Sequence, residues 1–382
     1  MGKFVGKNLR QNGLRSDAII GIIRGSSFAT LALLAIAQIR GRMSEKNEGA
    51  GKPSPERFRM ESLPGFDAVP RDMQDALERF NDDAQEIVHS FLATLELQQP
   101  PPLIYHYTND AGLKGILETG QLWLTDIFSL NDPSELTHGF SVAIDALTRK
   151  ITGDSVVAQK FAKNFAIFAE QGAIPKVAHF FMCSFSSCGD DLGQWRAYAD
   201  NGRGYAVGFD AKALENGFTK RDGIPIRNNS TFHIIYNDDQ LLGIQSQIIE
   251  KMRSLIMLPA GRGLQNDAIK VYMAELQMLL TLHILHTILF FKHEAYANER
   301  EFRFLQIHKA DEPPTVNVRS RRYGLVKYRD FEWRKVAPDA LKKIVVGAAA
   351  DYATASQFAK DCLGLFHFNN VDVARSQIPY RG

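Results

Sequence analysis

Between Asp72 and Leu97 the apolar residues return with a helical period. Met73, Ala76, Leu77, Phe80, Ala84, Ile87, Val88, Phe91 and Leu92 form one stripe, so the stretch predicts an amphipathic helix. Gln98, Gln99 and three prolines, Pro100 to Pro102, then end it, because proline lacks the amide donor and clashes with the preceding turn. Leu103-Ile104-Tyr105-His106-Tyr107 reads as a strand. Asn109 is placed to cap a short helix, Ala111–Glu118, which packs Leu113, Ile116 and Leu117 and stops at Gly120. Further strands are predicted at His179–Phe185, Gly204–Phe209, Glu299–Ile307, Gly324–Tyr328 and Lys343–Gly347. A polar helical turn at Asp191–Ala199, a long helix capped by Asn266 and reaching about Lys292, and a closing helix Ala353–Leu363 complete the pattern. Within the long helix Met278–Phe291 is apolar nearly all round, yet its fourteen residues are too few to span a bilayer. It predicts a buried core helix.

Because strands and helices do not alternate regularly, the expected class is α+β. We expect a mixed, mostly antiparallel sheet with flanking helices and one long buried helix, residues 100–382 forming a single domain. Residues 1–64 read differently, as a flexible or mis-started region. Lys3, Lys7, Arg10 and Arg15 precede an apolar segment, 18–39, in the manner of a signal or anchor. Arg24 inside that segment would cost about 2.5–3.5 kcal/mol at mid-membrane. Met43 opens a polar stretch resembling an ordinary N-terminus, and Gly41 to Pro64 has the composition of a disordered linker. No membrane association is expected.

Composition changes this picture little. Apolar residues at 45% and charged residues at 23% suit an ordinary globular protein, and a net charge of +2 gives no global field for nucleic acid or anionic lipid. Three cysteines, Cys183, Cys188 and Cys362, make no disulfide framework, so reduced thiols and a cytoplasmic location are expected.

Candidate chemistry lies in short segments. There is no phosphate-binding loop, no Gly-x-Ser-x-Gly elbow and no zinc-spaced Cys or His set. In Ala297–Leu305 a period of two would put Phe302 and Phe304 on one face and Glu299, Glu301 and Arg303 on the other. That is either a solvated strand face or a carboxylate pair suited to acid–base work or to stabilising a cation. His106 on its apolar strand is a core residue or a ligand contact, and Thr108 with Asn109 can cap the next helix. Asn131-Asp132-Pro133-Ser134-Glu135 is a helix-start signal. Trp195 and Tyr198 share a helix face, most simply as core aromatics, although a tyrosine at a helix end can stack on a flat ligand.

Taken as an ordered set, His106–Thr108, Asn131–Glu135, Cys183–Ser186, Trp195–Asn201 and Glu299–Arg303 resemble the bacterial domain-of-unknown-function family numbered 2971. The strand Ile344–Gly347 and the closing helix fit that family's ending, so the resemblance runs from Leu103 to Phe366. Tyr296 and Asn298 depart from it, since members often carry an aromatic pair before the first glutamate. A more distant likeness is to the ADP-ribosyltransferase superfamily, whose order of His, Tyr and Glu is met by His106, Tyr198 and Glu301.

That likeness implies an enzyme that cleaves NAD, its substrate, and passes ADP-ribose to an unknown acceptor. Glu301, Glu299 and His106 would be catalytic. His106, Tyr107, Thr108, Ser184, Tyr198 and Arg303 would bind the nucleotide. A carboxylate there stabilises the oxocarbenium-like cation formed as the nicotinamide–ribose bond breaks. Folding should then bring His106, Tyr198 and Glu301 into one concave site. Two other functions fit the residues. A metal-dependent nuclease would use Asp132, Glu135, Glu299 and Glu301 as magnesium ligands. A nucleotide- or RNA-binding module would use residues 319–335, where Arg321, Arg322, Lys327, Arg329 and Arg334 alternate with Tyr323, Tyr328 and Trp333.

Overall fold

The computed structural model describes residues 65–96, 100–129, 134–151, 155–170, 178–226, 228–309, 314–321 and 324–379. The region 1–64 with its apolar segment lies outside them. So do residues 131–133 and the side chains of Ser134 and Glu135, which hold most of the Asn-Asp-Pro motif.

The chain folds around one ten-stranded sheet. Among the described residues the first α-helix, α1 (Arg71–Glu96), leads into β1 (Leu103–Thr108), α2 (Asp110–Thr119) and β2 (Leu122–Asp126). Two helices, α3 (Ser134–Ile151) and α4 (Val156–Glu170), precede β3 (Ala178–Ser186). Then come α5 (Leu192–Tyr198), β4 (Tyr205–Asp210), α6 (Ala211–Thr219), a small hairpin of β5 (Lys220–Arg221) and β6 (Ile224–Pro225), and β7 (Asn229–His233). Two helices follow, α7 (Asp238–Arg253) and α8 (Asn266–Ile288), before β8 (Glu301–Lys309). The chain closes with β9 (Asn317–Arg321), β10 (Gly324–Phe331), α9 (Trp333–Val336), β11 (Leu341–Val346), α10 (Tyr352–Leu365) and β12 (Asp372–Arg375).

The sheet is antiparallel except between β11 and β12. It forks at β3. One edge of β3 pairs with β8 along its whole length, Ala178–Ser186 against Glu301–Lys309, and β7 lies beyond β8. The other edge is shared: β1 meets it at Tyr105–Ser186, while β2 meets it at Thr125–Met182 and Asp126–Phe181. Two arms diverge from there, β1-β4-β11-β12 and β2-β10-β9.

Both faces of β3 and β8 are apolar, because each is covered. Phe180, Met182, Leu305 and Ile307 meet the core of α1, α3, α4, α7 and α8. The alternate residues Phe181, Cys183, Phe185, Phe302 and Phe304 meet α2, α6, α9 and α10. The period of two that separates these sets is the pleat itself. This is the α+β fold expected from the sequence, with α8 as the long buried helix. Among the described residues α8 is long and apolar enough to cross a bilayer, yet Glu275 to Ile288 are buried inside the protein.

Local signals explain the element ends. Asn109 Oδ1 accepts the Gly112 amide at 2.9 Å, and Gly120 ends α2 at φ 65°, a left-handed conformation that glycine adopts without Cβ strain. Asp191, Asp210, Asn237 and Asp351 cap α5, α6, α7 and α10 through the same side-chain bond. Two expectations are corrected. Asn266 is the first residue of α8 rather than its cap, which is Gln265. The helix ends at Ile288 rather than near Lys292, because the chain turns so that Ile235 N–H donates to Phe290 O at 2.9 Å and Lys292 N–H to Ile235 O at 3.0 Å. Glu299 also leaves the expected strand. It closes a 3-10 segment, Glu294–Glu299, and Arg300 at φ 45° separates it from β8.

Gly204 lies where the backbones of β1 and the α5–β4 turn touch. A Cβ there would run into Thr108 O and come within 3.1 Å of the Ala199 carbonyl. Gly204→Ala should therefore destabilise the protein by about 1–3 kcal/mol, the usual cost of overpacking. A urea midpoint equal to wild type would contradict this close approach.

Candidate functional site

The start of β8 builds the site. Cross-strand pairing puts Glu301 opposite Ser186 and Arg303 opposite Ser184, so these four side chains share one face. Arg303 grips Glu301 with two donors, Nε at 2.5 Å and Nη2 at 2.9 Å, and Ser184 Oγ–H donates to Glu301 Oε1 at 2.5 Å. Lys292 Nζ lies 2.6 Å from Glu299 Oε2 and 3.5 Å from Glu301 Oε2. Tyr236 Oη accepts the Glu301 amide at 2.8 Å, and Ser186 Oγ–H donates to Glu299 O at 2.7 Å. Glu301, Arg303 and Lys292 are buried, and the Glu299 side chain is 13% exposed. Charges match within this group, two carboxylates against two cations.

Tyr198 joins the cluster to solvent. It is 41% exposed, yet its hydroxyl turns inward and donates to Glu299 Oε1 at 3.3 Å. Tyr296, 38% exposed, covers Lys292, whose Nζ stands 4.8 Å from the ring centroid.

Electrostatics fix the protonation states. Burial alone would push the Glu301 carboxyl up, but Arg303, Lys292 and the Ser184 hydroxyl override it and hold the group at about 2. Glu301 is therefore an anion at neutral pH and has no proton to donate as a general acid. Burial, then the Glu299 charge, pushes the Tyr198 phenol up to about 12, so it stays a neutral donor. Burial, with the Glu301 charge behind it, drives the Cys183 thiol up to about 12, and that thiol is no nucleophile.

The structure thus brings together Glu299, Glu301, Ser184, Arg303 and Tyr198. It does not bring His106 to them. Tyr105 pairs with Ser186 and so shares the face of Glu301, while the next residue, His106, points to the opposite face and packs edge-on against Phe185 at 5.8 Å. His106 Nδ1 lies 3.2 Å from Ser184 O. A carbonyl only accepts, so Nδ1 carries the proton and the imidazole bridges the fork where β1 and β3 part. Burial lowers the pKa of His106, which keeps the ring neutral there. The expectation that His106, Tyr198 and Glu301 line one site is corrected by strand parity.

Thr108 shares the parity of His106 and pairs with Tyr205. Tyr107 is buried against Trp195, ring centroids 4.8 Å apart. Its hydroxyl donates to Cys188 O at 2.8 Å and accepts the Asp191 amide at 3.1 Å, which occupies it in holding the loop before α5. Trp195 and Tyr198 part company too: the first is wholly buried, with Nε1–H donating to Asp190 Oδ1 at 2.7 Å, and only the second is exposed. In the basic segment Trp333 is buried against Phe209 and Phe368, and Arg334 lies over the Phe368 ring and donates to Phe366 O. Neither is a surface group for nucleic acid. Arg322 and Tyr323 lie outside the described residues.

Lys292 is the participant that sequence reasoning missed. Its signal was present: a lysine directly after the apolar run Met278–Phe291 is carried inside the protein, and a buried ammonium needs carboxylate partners.

Residues 194–304 match a protein family described as "Protein of unknown function (DUF2971)". The match supports the family resemblance over this span, which includes the segments Trp195–Asn201 and Glu299–Arg303 and omits the earlier ones. No curated protein matches the chain, and no solved structure does.

Proposed function

We propose that the protein is an NAD-cleaving or ADP-ribosyl-transferring enzyme in which Glu299 faces the substrate. The observation that carries this reading is Tyr198, a tyrosine exposed over a buried, charge-matched carboxylate pair and hydrogen-bonded to it. Its open ring is a stacking surface for a flat heterocycle. Glu299, at the edge of the cluster, stabilises the cation that develops as the glycosidic bond breaks. Glu301 is deeper and wholly engaged by Arg303, Lys292 and Ser184, so its role is to hold Lys292, and through it Glu299, in place. His106 has no part in this scheme.

The nuclease reading has less support. Glu299 and Glu301 already hold Lys292 and Arg303, which a magnesium ion would have to displace.

The test is nicotinamide release from NAD by the purified full chain, with NAD binding measured separately. Glu299→Gln should lower turnover at least ~100-fold, the loss typical of one electrostatic stabiliser, with NAD binding little changed. Tyr198→Ala should weaken binding, and Tyr198→Phe should retain it because the ring remains. A wild-type protein that neither binds NAD nor releases nicotinamide would overturn the proposal.

A further inference from the structure

A second surface lies on the shorter arm of the sheet, away from the carboxylate cluster. Among the described residues β9 is an edge strand that pairs only with β10, and β10 pairs with β2. Register sorts the side chains by face. Tyr328 pairs with Thr125 and Asn317, Val326 with Arg319, Gly324 with Arg321, and Asp330 with Trp123. One face therefore carries Trp123, Tyr328, Arg319 and Arg321, and Lys327 and Arg329 turn to the other. The basic segment is thus divided by the pleat. Of its aromatics the half-buried Tyr328 stays on this face, where Trp123 from β2, outside the segment, joins it.

Three features make this face more than a charged edge. Trp123 is 46% exposed and meets Tyr328 with ring centroids 4.6 Å apart. The Arg319 guanidinium carbon stands 5.2 Å over the Trp123 ring, yet its Nε is buried without a hydrogen-bond partner among the described residues. Arg321 is two positions along the same strand face, about 6.8 Å away at the rise of an extended strand. It is exposed and donates to Ser129 O at 3.3 Å. Arginines chosen only to blunt a sheet edge would not require a large exposed indole beside them. Asp330 is the acidic group on this face, and Asn317 Nδ2–H holds it at 2.6 Å.

We propose that the Trp123–Tyr328–Arg319–Arg321 face binds single-stranded nucleic acid. Trp123 and Tyr328 stack on bases, and the two arginines follow the phosphate backbone. Stacking on an aromatic tolerates any base, and two cations along one strand match a repeating anionic chain better than a single charged side chain. This inference does not depend on the NAD reading.

The test uses the full chain and a fluorescein-labelled oligouridine at low salt, read by anisotropy and by protein fluorescence. Trp195 and Trp333 are fully buried, so quenching reports on Trp123. Oligouridine should bind and quench the tryptophan emission. Trp123→Ala should weaken binding about ten-fold or more. Arg319→Gln and Arg321→Gln should each weaken it and lower the slope of log affinity against log salt by about 0.7. Lys360→Ala, on the far side of the sheet, should change neither. Circular dichroism of each variant separates a lost contact from a lost fold. No binding at low salt would overturn the proposal, as would folded Trp123→Ala and Arg319→Gln variants that bind like wild type. Binding of an acidic peptide with the same salt slope and no dependence on Trp123 would also count against it, since charge alone would then explain the face.

Discussion

Glu301→Gln is expected to lower the stability of the protein by about 3–5 kcal/mol, the cost of breaking a buried ion pair from one side. Glutamine keeps the shape of the side chain but removes its charge. Lys292 would keep the carboxylate of Glu299, while the buried Arg303 would lose the anion that it now holds through two donors. Replacing both partners with apolar residues, as in Glu301→Leu with Arg303→Met, should recover part of the loss, because no uncompensated charge remains between them. The measurement is urea unfolding of the wild type, the single variant and the double variant. A single variant as stable as wild type would show that the cluster contributes nothing to folding. Wild type should also lose this contribution in acid. The folded carboxyl is held at about 2 while the unfolded one titrates near the ordinary value of 4.5. The stabilisation is therefore complete above 4.5 and fades as pH falls toward 2. Because Glu301→Gln perturbs the fold, Glu299 and Tyr198 are the cleaner positions for activity tests.

Acidification between pH 6.5 and 4 should destabilise the protein by a second route, at the contact of α1 with α8. His283 is fully buried there, with Phe80 edge-on at 5.9 Å and Asn81 Oδ1 3.1 Å from its Nε2. Since Asn81 Oδ1 only accepts, Nε2 carries the proton of a neutral ring. His286 is buried with its ring centroid 6.3 Å from that of His283. Burial, then His286 and His89, holds His283 well below the usual imidazole range, and burial, then His89, takes His286 to about 4. Unfolding frees both to bind protons near 6.5. Stability is thus fully present above pH 6.5 and falls as pH drops toward 4, where the unfolded chain binds more protons than the folded one. At about 1.4 kcal/mol per unit for each group, two groups over the two units from 6.5 to 4.5 lose on the order of 5 kcal/mol. Urea midpoints at pH 7.5, 6.0 and 4.5 measure it. His283→Gln with His286→Gln should flatten the dependence, and an unchanged slope in that variant would place the titration elsewhere.

Much of the fold was legible because its signals are local. The Asn109 cap, the Gly120 stop and the apolar stripe of α1 depend on neighbours along the chain, and their elements stand within a residue or two of where the pattern put them. Three large helices, α3, α4 and α7, were not read from sequence. In α3 the helix-start signal at Asn131–Glu135 was read, but the apolar positions Phe140, Ala143, Ala146, Leu147 and Ile151, which keep helical spacing, were not followed from it. In α7 the buried set includes Gln245, whose burial depends on Gly139 O and Thr287 as partners from other helices. Such partners cannot be read from a local window.

The site was legible in residue type and less so in arrangement. Glu301, Arg303 and Ser184 meet because β3 and β8 run in a particular register, which a motif list does not contain. His106 failed for the same reason in reverse, since one step along a strand changes the face. Lys292 and Glu299 meet because α8 unwinds at Ile288 and Arg300 turns left-handed, and both are tertiary decisions.

The fork at β3 has a mechanical consequence. Ser184 O faces the gap between the arms, so its amide faces the gap as well, while the flanking residues turn their backbone groups to β8. Along the sheet, force applied to the arm of β2, β10 and β9 has no continuous ladder by which to reach β1, β4 and β11. It must pass through β3, where the imidazole of His106 is a lateral tie. Through the sheet the two arms communicate by way of β3, the strand that holds Ser184 against Glu301, while the apolar core on one face, which takes Leu122, Leu124 and Phe331 from one arm and Ile104, Phe209 and Ile344 from the other, binds them together.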